Sequence, residues 1–163
     1  MGKVEDNKKR KKNAIVDSAF SLFIQNGINE TSIADIMKKA ELAKGTFYLY
    51  FKDKYDVRDY LIRKKAAQIF DRARVALVES GVKDFEEQII FMVDHILNQL
   101  DDNKTLLKFI SKNLSWGIFT HALESMPMES GETAVLFVRQ LFEDSKYTFR
   151  NPEMLMFMIV ELV

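Results

Sequence analysis

Apolar residues recur along this chain at helical spacing almost throughout. Ile15, Ala19, Leu22 and Phe23 stand at i, i+4, i+7 and i+8 and give one buried stripe to a helix from about Lys9 to Asn26. Gly27 ends it, since glycine can take the left-handed conformation that terminates helices. Ile33, Ile36 and Met37 supply the buried face of a short second helix that starts at Thr31 or Ser32. Ser32 and Asp35 have the spacing of a capping box, with Asp in place of Glu or Gln. The pattern breaks over residues 40–43 and resumes in a third helix, 44–51, where Phe47 and Phe51 face inward together with Leu42. Lys44, Thr46, Tyr48 and Tyr50 are left for its other faces. Lys52-Asp53 leads into a fourth helix over about 54–80, with Val57, Leu61, Ile69, Phe70, Ala73 and Leu77 on its apolar side and Gly81 as its stop. At 1.5 Å per residue it is roughly 40 Å long, enough to run from one domain into another.

The remaining helices are marked by their starts. Asp84 and Glu87 open one that runs to about Leu100. Asp102 or Asn103 opens the next, which passes Phe109, reaches Gly117 and continues irregularly to Ser125. Met126-Pro127-Met128 and Gly131 mark a loop, and a helix follows over about 132–145. Asn151-Pro152 combines a capping Asn with Pro in the first turn. The chain stops at Val163 inside the apolar run 154–163, an abrupt end that leads us to expect a longer natural polypeptide. Two prolines and six glycines over 163 residues fit long helices better than many turn-linked strands. The expected class is therefore all-α: a three-helix domain over residues 8–54, with its motif at 31–51, and a helical bundle over 55–163.

Composition narrows the functions. Hydrophobic residues at 47% and charged residues at 29% are those of an ordinary globular protein. The absence of cysteine excludes disulfides, thiolate zinc sites and cysteine nucleophiles. No run of about 18 apolar residues occurs, and residues 1–12 are charged without a secretory apolar stretch, so a cytoplasmic location with no membrane partner is expected. The formal net charge of zero hides an asymmetry. Residues 1–75 hold 17 Lys+Arg against 10 Asp+Glu, a net of +7, and residues 76–163 hold 7 against 14, a net of −7. A basic half joined to an acidic half suggests that one end meets a polyanion.

Two short helices with a tight connection, the second carrying Lys, Thr and Tyr on one face, are what a helix-turn-helix requires. Its first helix crosses the phosphates and its second enters the major groove. Thr31 and Ser32 place hydroxyls at a helix N-terminus, and Lys44, Lys52 and Lys54 bracket the recognition helix with positive charge. Two amphipathic helices so connected also occur in inert bundles. The run Lys8-Lys9-Arg10-Lys11-Lys12 has three readings: a flexible arm that tracks phosphates or enters a minor groove, a nuclear-import patch, or the solvated basic start of a helix.

The segment TSIADIMKKAELAKGTFYLYF, residues 31–51, followed by Lys52-Asp53-Lys54, resembles the DNA-binding motif of the TetR family, and AIVDSAFSLFIQNGINETS, residues 14–32, resembles its first helix and turn. The resemblance covers about residues 10–60. It implies a three-helix DNA-binding domain, a fourth helix leading to an all-α effector domain, and a homodimer on a palindromic operator of double-stranded DNA. By position it makes Thr31 a phosphate-contacting threonine, Lys44-Gly45-Thr46 the start of the recognition helix, Tyr48 a groove-facing tyrosine and Lys54 a phosphate-binding lysine. Gly45, lacking a Cβ, lets the backbone approach DNA closely. Two departures stand out. Glu41 occupies a turn position where the family commonly has glycine, so a left-handed residue there carries strain. Ala43 replaces the frequent Ser or Thr cap of the recognition helix.

The rest of the chain is rich in Phe and Met, including Phe91, Met92, Phe109, Trp116, Phe119, Met126, Met128, Phe137, Met154, Met156, Phe157 and Met158. Such residues build the core of any helical bundle. In TetR-like proteins the same region encloses an inducer pocket, and Phe91, His95, Phe109, Trp116, Phe119, Phe137 and Phe157 are its candidates here. His95 among Phe91, Met92, Ile96 and Leu97 reads equally as a satisfied structural histidine, and His121 is weaker still. Catalysis has little support. The two histidines are 26 apart, the adjacent carboxylates Glu86-Glu87 and Asp101-Asp102 point to different faces or cap helices, and no phosphate loop, nucleophile elbow or metal spacing occurs, so no cofactor is expected. Three readings remain: a DNA-binding repressor released by a small hydrophobic or aromatic ligand and found on the nucleoid when bound; a helical protein-interaction module whose basic half meets an acidic partner; and, more weakly supported, an enzyme with an unrecognised site.

Overall fold

The computed structural model describes residues 2–125 and 133–161. The expected loop at Met126-Pro127-Met128 and Gly131, the helix start at Glu132 and the chain end at Val163 lie outside them. The described residues form nine helices, in the order α1 (Lys3–Asn26), α2 (Ile33–Lys39), α3 (Lys44–Phe47), α4 (Lys54–Ser80), α5 (Phe85–Asp101), α6 (Lys104–Asn113), α7 (Trp116–Ser125), α8 (Ala134–Glu143) and α9 (Pro152–Glu161).

Most boundaries follow from local capping. The Ser32 hydroxyl accepts from the Asp35 amide while the Asp35 carboxylate accepts from the Ser32 amide, each at 3.1 Å, a complete capping box. Asp84, Asn103 and Asn151 accept in the same way from the amides of Glu87, Leu106 and Met154. A cap of this kind stabilises its helix by about 1 kcal/mol.

Three boundaries differ from the sequence pattern. α1 begins at Lys3, six residues early, so Lys8–Lys12 are helical rather than a flexible arm. No Gly or Pro interrupts 3–12, and Glu5 and Asp6 place negative charge in the first turn, where the helix dipole favours it. α3 is one turn long. Beyond Phe47 the chain tightens, with Leu49 N–H donating to Thr46 O (3.3 Å) and Tyr50 N–H to Phe47 O (2.9 Å). Three-residue hydrogen bonds of this type close helix ends, and the aromatic run 47–51 has little helix propensity to resist them. The break between α6 and α7 falls at Leu114, which is extended, and Gly117 sits inside α7. Gly27 ends α1 at φ +84°, ψ 159°, a positive φ that favours glycine but lies outside the left-handed helical basin.

The chain divides into two units, residues 1–61 and 62–163, seven residues beyond the boundary expected after residue 54. The first two turns of α4 belong with the amino-terminal unit because Val57 and Leu61 are buried and the Tyr60 ring packs on Phe51 at 5.6 Å. In that unit α1 packs on α2 and α2 on α3. Ile15, Val16, Ala19 and Phe23 of α1, Ile36 and Met37 of α2, and Phe47 and Phe51 are all buried. In the second unit one core collects Phe70, Ala73 and Leu77 of α4, Met92 of α5, Phe119 and Leu123 of α7, Val138, Leu141 and Phe142 of α8, and Met156 of α9. At its edge Phe85 meets Phe142, Tyr147 and Phe149 at 5.2–6.0 Å.

Candidate nucleic-acid interface

The recognition segment is held from behind by two phenylalanines. Phe47 and Phe51 are 0% and 4% exposed, with ring centroids 6.0 Å apart, so the segment has a fixed inner face. Its outer face carries Lys44, Gly45, Tyr48 and Leu49, all exposed, with Thr46 and Tyr50 half-buried beside them. Tyr48 is 58% exposed, and its ring is supported edge-on by Phe47 at 5.5 Å. No side-chain atom lies within 4 Å of where a Cβ on Gly45 would stand, so the backbone there is open to approach.

The turn before the segment shows both expected departures. Glu41 has φ +56°, the left-handed conformation that a side chain disfavours by roughly 1–2 kcal/mol. Ala43 sits at the N-cap of α3 and offers no capping hydrogen bond.

Two candidates named for phosphate contact are used internally. Thr31 is 1% exposed, and its hydroxyl points at the Gly27 carbonyl (2.8 Å), with the Leu22 carbonyl at 3.4 Å. These bonds tie down the turn after α1 and leave the Thr31 hydroxyl turned inward in the DNA-free chain. The Lys54 ammonium donates to the carbonyls of Asn29 (2.8 Å) and Thr31 (3.1 Å) and so ties the start of α4 to that same turn. An ammonium has three donors, so these bonds leave one for another acceptor. Ser32 is exposed but caps α2, and the hydrogen bond from its hydroxyl is the main cause that holds the Asp35 carboxyl below its ordinary pKa.

Sequence reasoning missed three features. Leu49 is 76% exposed on the recognition segment. Lys12 lies over the Tyr60 ring at 4.0 Å, which gives part of the basic run a structural use. Asp53 accepts from the amides of Tyr55 and Asp56 at 2.9 Å and so caps α4, while Asp56 accepts from the Lys52 amide at 3.1 Å; the Asp-x-x-Asp spacing was visible in the sequence. Lys52 itself is exposed.

Of the effector candidates, Phe119 belongs to the core of the second unit, and Phe91, Trp116, Phe137 and Phe157 pack against it. Trp116, Phe119 and Phe157 form one triad with centroids 5.3–6.1 Å apart. Phe91 stacks on His95 at 6.0 Å, Phe109 is buried, and Phe137 packs on Phe70 with the Arg74 guanidinium 6.0 Å from its ring. An apolar cavity of about 60 Å³ does lie in this unit, between Ala66, Ala67, Ile69, Phe70, Ile96, Leu100, Ile110, Leu114, Phe119, Ala122, Leu123 and Ala134. Of the seven candidates only Phe119 lines it. Ile96, Leu100, Ile110 and Leu114 also line a groove of about 340 Å³ whose rim includes Lys108, Ser111 and Glu161. Among the described residues no group of three His, Asp or Glu is placed to hold a metal, and no helix is long and apolar enough to cross a membrane.

A pair of short helices that turns lysine and tyrosine outward has the form of a helix-turn-helix motif. Residues 15–61 match the family described as "Bacterial regulatory proteins, tetR family". The fatty acid metabolism regulator protein of Bacillus subtilis (strain 168) is 26% identical over 149 residues, covering 78% of this chain and 76% of that protein. The HTH-type transcriptional repressor NemR of Escherichia coli (strain K12) is 27% identical over 94 residues, covering 58% of this chain and 47% of that protein. The chain spans 38–60% of several other curated relatives. A solved TetR family transcription regulator from Marinobacter aquaeolei VT8 shares the fold with a TM-score of 0.58 at 16% identity, covering 96% of this chain and 97% of that one. Residues 15–61 are thus similar to the DNA-binding region of the tetR family of bacterial regulatory proteins, and the curated relatives named above are transcriptional regulators.

Proposed function

We propose that the protein is a repressor that binds a palindromic operator as a homodimer in the cytoplasm and leaves it when a small apolar ligand enters the second unit. The observation that carries the DNA reading is the two-sided recognition segment: Phe47 and Phe51 fixed inside, with Lys44, Tyr48 and Lys52 exposed. Lysines there would set affinity through phosphates, and the groove-facing side chains would set sequence. The ligand reading rests on the aliphatic cavity. Its 60 Å³ is well below the roughly 150 Å³ that accommodates benzene, so a ligand must widen it, and an alkyl chain fits its walls better than a ring. The name of the Bacillus subtilis relative, a fatty acid metabolism regulator, favours the same class.

α4 provides a physical link between the two activities. Its Val57 and Leu61 are buried in the first unit, while its Ala66, Ala67, Ile69 and Phe70 line the cavity in the second. A ligand that fits better when α4 shifts would favour a state whose two recognition segments no longer match major grooves about 34–36 Å apart. Selection of bound duplexes from a random pool tests the first half: one enriched palindrome is expected, and no enrichment rejects it. Adding linear fatty acids or their thioesters to the bound complex tests the second: release is expected, and indifference to all chain lengths rejects an aliphatic inducer.

A further inference from the structure

The recognition segment is poorly equipped to read bases by hydrogen bonds. Residues 44–51 contain no Arg, Asn, Gln, Asp or Glu, so of the side chains that commonly pair with base edges only Lys44 and Thr46 are present. Its polar side chains are one lysine, one threonine and two tyrosines, and of these Thr46 and Tyr50 are half-buried. What the segment does display is apolar surface. Leu49 is 76% exposed, more than any other large hydrophobic residue described except Val4, and it adjoins Tyr48 at 58%. It lies in the turn that follows α3, four residues beyond Gly45, where no side chain lies within 4 Å of a would-be Cβ. Single exposed leucines are common on protein surfaces. This one sits at the centre of the surface that the proposed function presses into a major groove, flanked by exposed Lys44 and Lys52.

In the major groove the thymine C5-methyl group is the apolar feature that marks a base pair, and apolar side chains recognise it by contact. The geometry points to Leu49 as a specificity-determining residue that packs against a thymine methyl in each half-site. This rests on the DNA-binding reading above and adds to it. Tyr48 and Lys44 position the segment, and Leu49 selects thymine at one fixed step.

The test removes one methyl group at a time. The full-length protein is first used to select its duplex, and each thymine of that duplex is then replaced singly by deoxyuridine, which lacks only the C5-methyl. For the wild-type protein one position per half-site should weaken binding about four-fold, the effect of one buried methyl. Leu49→Ala should weaken binding to the thymine duplex by a similar or larger factor, and the deoxyuridine replacement should then change nothing further. Leu49→Met, which keeps apolar reach, should restore the preference for thymine. Losses that simply multiply at every position, or a wild-type protein indifferent to all deoxyuridine replacements, would overturn the assignment while leaving DNA binding intact. Failure to select any duplex would instead overturn the DNA reading on which it rests.

Discussion

The two units of this chain use aromatic residues in opposite ways. In the first, Phe47 and Phe51 are anchors, each fixed in a core so that their neighbours Lys44, Tyr48 and Leu49 are displayed at known positions. In the second, the aromatics face one another. Trp116, Phe119 and Phe157 close into a triad, and Phe85 gathers Phe142, Tyr147 and Phe149, while the nearby cavity is walled mostly by aliphatic side chains. Aromatic pairs in edge-to-face or offset arrangements are worth about 0.5–1.5 kcal/mol beyond their buried area, so packing alone accounts for them. A binding surface is therefore readable where core residues and displayed residues alternate within one turn. It is hidden where the residues that look like a pocket prefer each other.

Substitutions can break this contrast. Phe47→Ala and Phe119→Ala should each destabilise by about 3–5 kcal/mol in chemical denaturation. Only the second should open a cavity large enough to bind benzene, detectable as a rise in melting temperature with added benzene; no rise would mean that the unit collapses around the gap. Lys54→Met removes a charged donor from the Asn29 and Thr31 carbonyls and should lower stability by about 1–3 kcal/mol, measured by urea unfolding. A neutral outcome would return Lys54 to a purely surface role.

Smaller effects sharpen it. Glu41→Gly relieves a left-handed residue and should raise stability by about 1 kcal/mol with the fold unchanged. Tyr48→Ala should change stability by less than about 0.5 kcal/mol while operator affinity falls, because its ring is displayed rather than buried. The smallest is a matter of pH. The Glu86 carboxyl is held down to about 2 by the Tyr147 hydroxyl first, then by its own backbone amide and by the Lys146 ammonium 3.1 Å away. Its contribution is complete above the ordinary value of 4.5 and is lost as pH falls from there towards 2. The stability difference between wild type and Glu86→Gln should therefore shrink over that window in acid titrations.

What was legible in the sequence follows the range of the interactions involved. Ser32 with Asp35, Asp84 with Glu87 and Asn151 before Pro152 act within one turn, and each sits where its spacing placed it. The strained Glu41 and uncapped Ala43 were visible for the same reason. Thr31 and Lys54 were not. Their partners are fixed by the fold, with Lys54 lying 25 residues from the Asn29 carbonyl it holds, and a motif match records the side chain but not what satisfies it. Nor does spacing distinguish an aromatic that lines a cavity from one that packs on another ring, which is why only Phe119 among the pocket candidates reaches the cavity.

The central claim is that the outward face of residues 44–52 reads a DNA sequence. Its most direct test is the affinity of the intact protein for its selected duplex and for a scrambled one, measured between about 50 and 200 mM salt. The selected duplex should be bound at least about 10³-fold more tightly, with log affinity falling linearly as log salt rises. Equal affinity for both duplexes, or binding that salt does not weaken, would contradict the account.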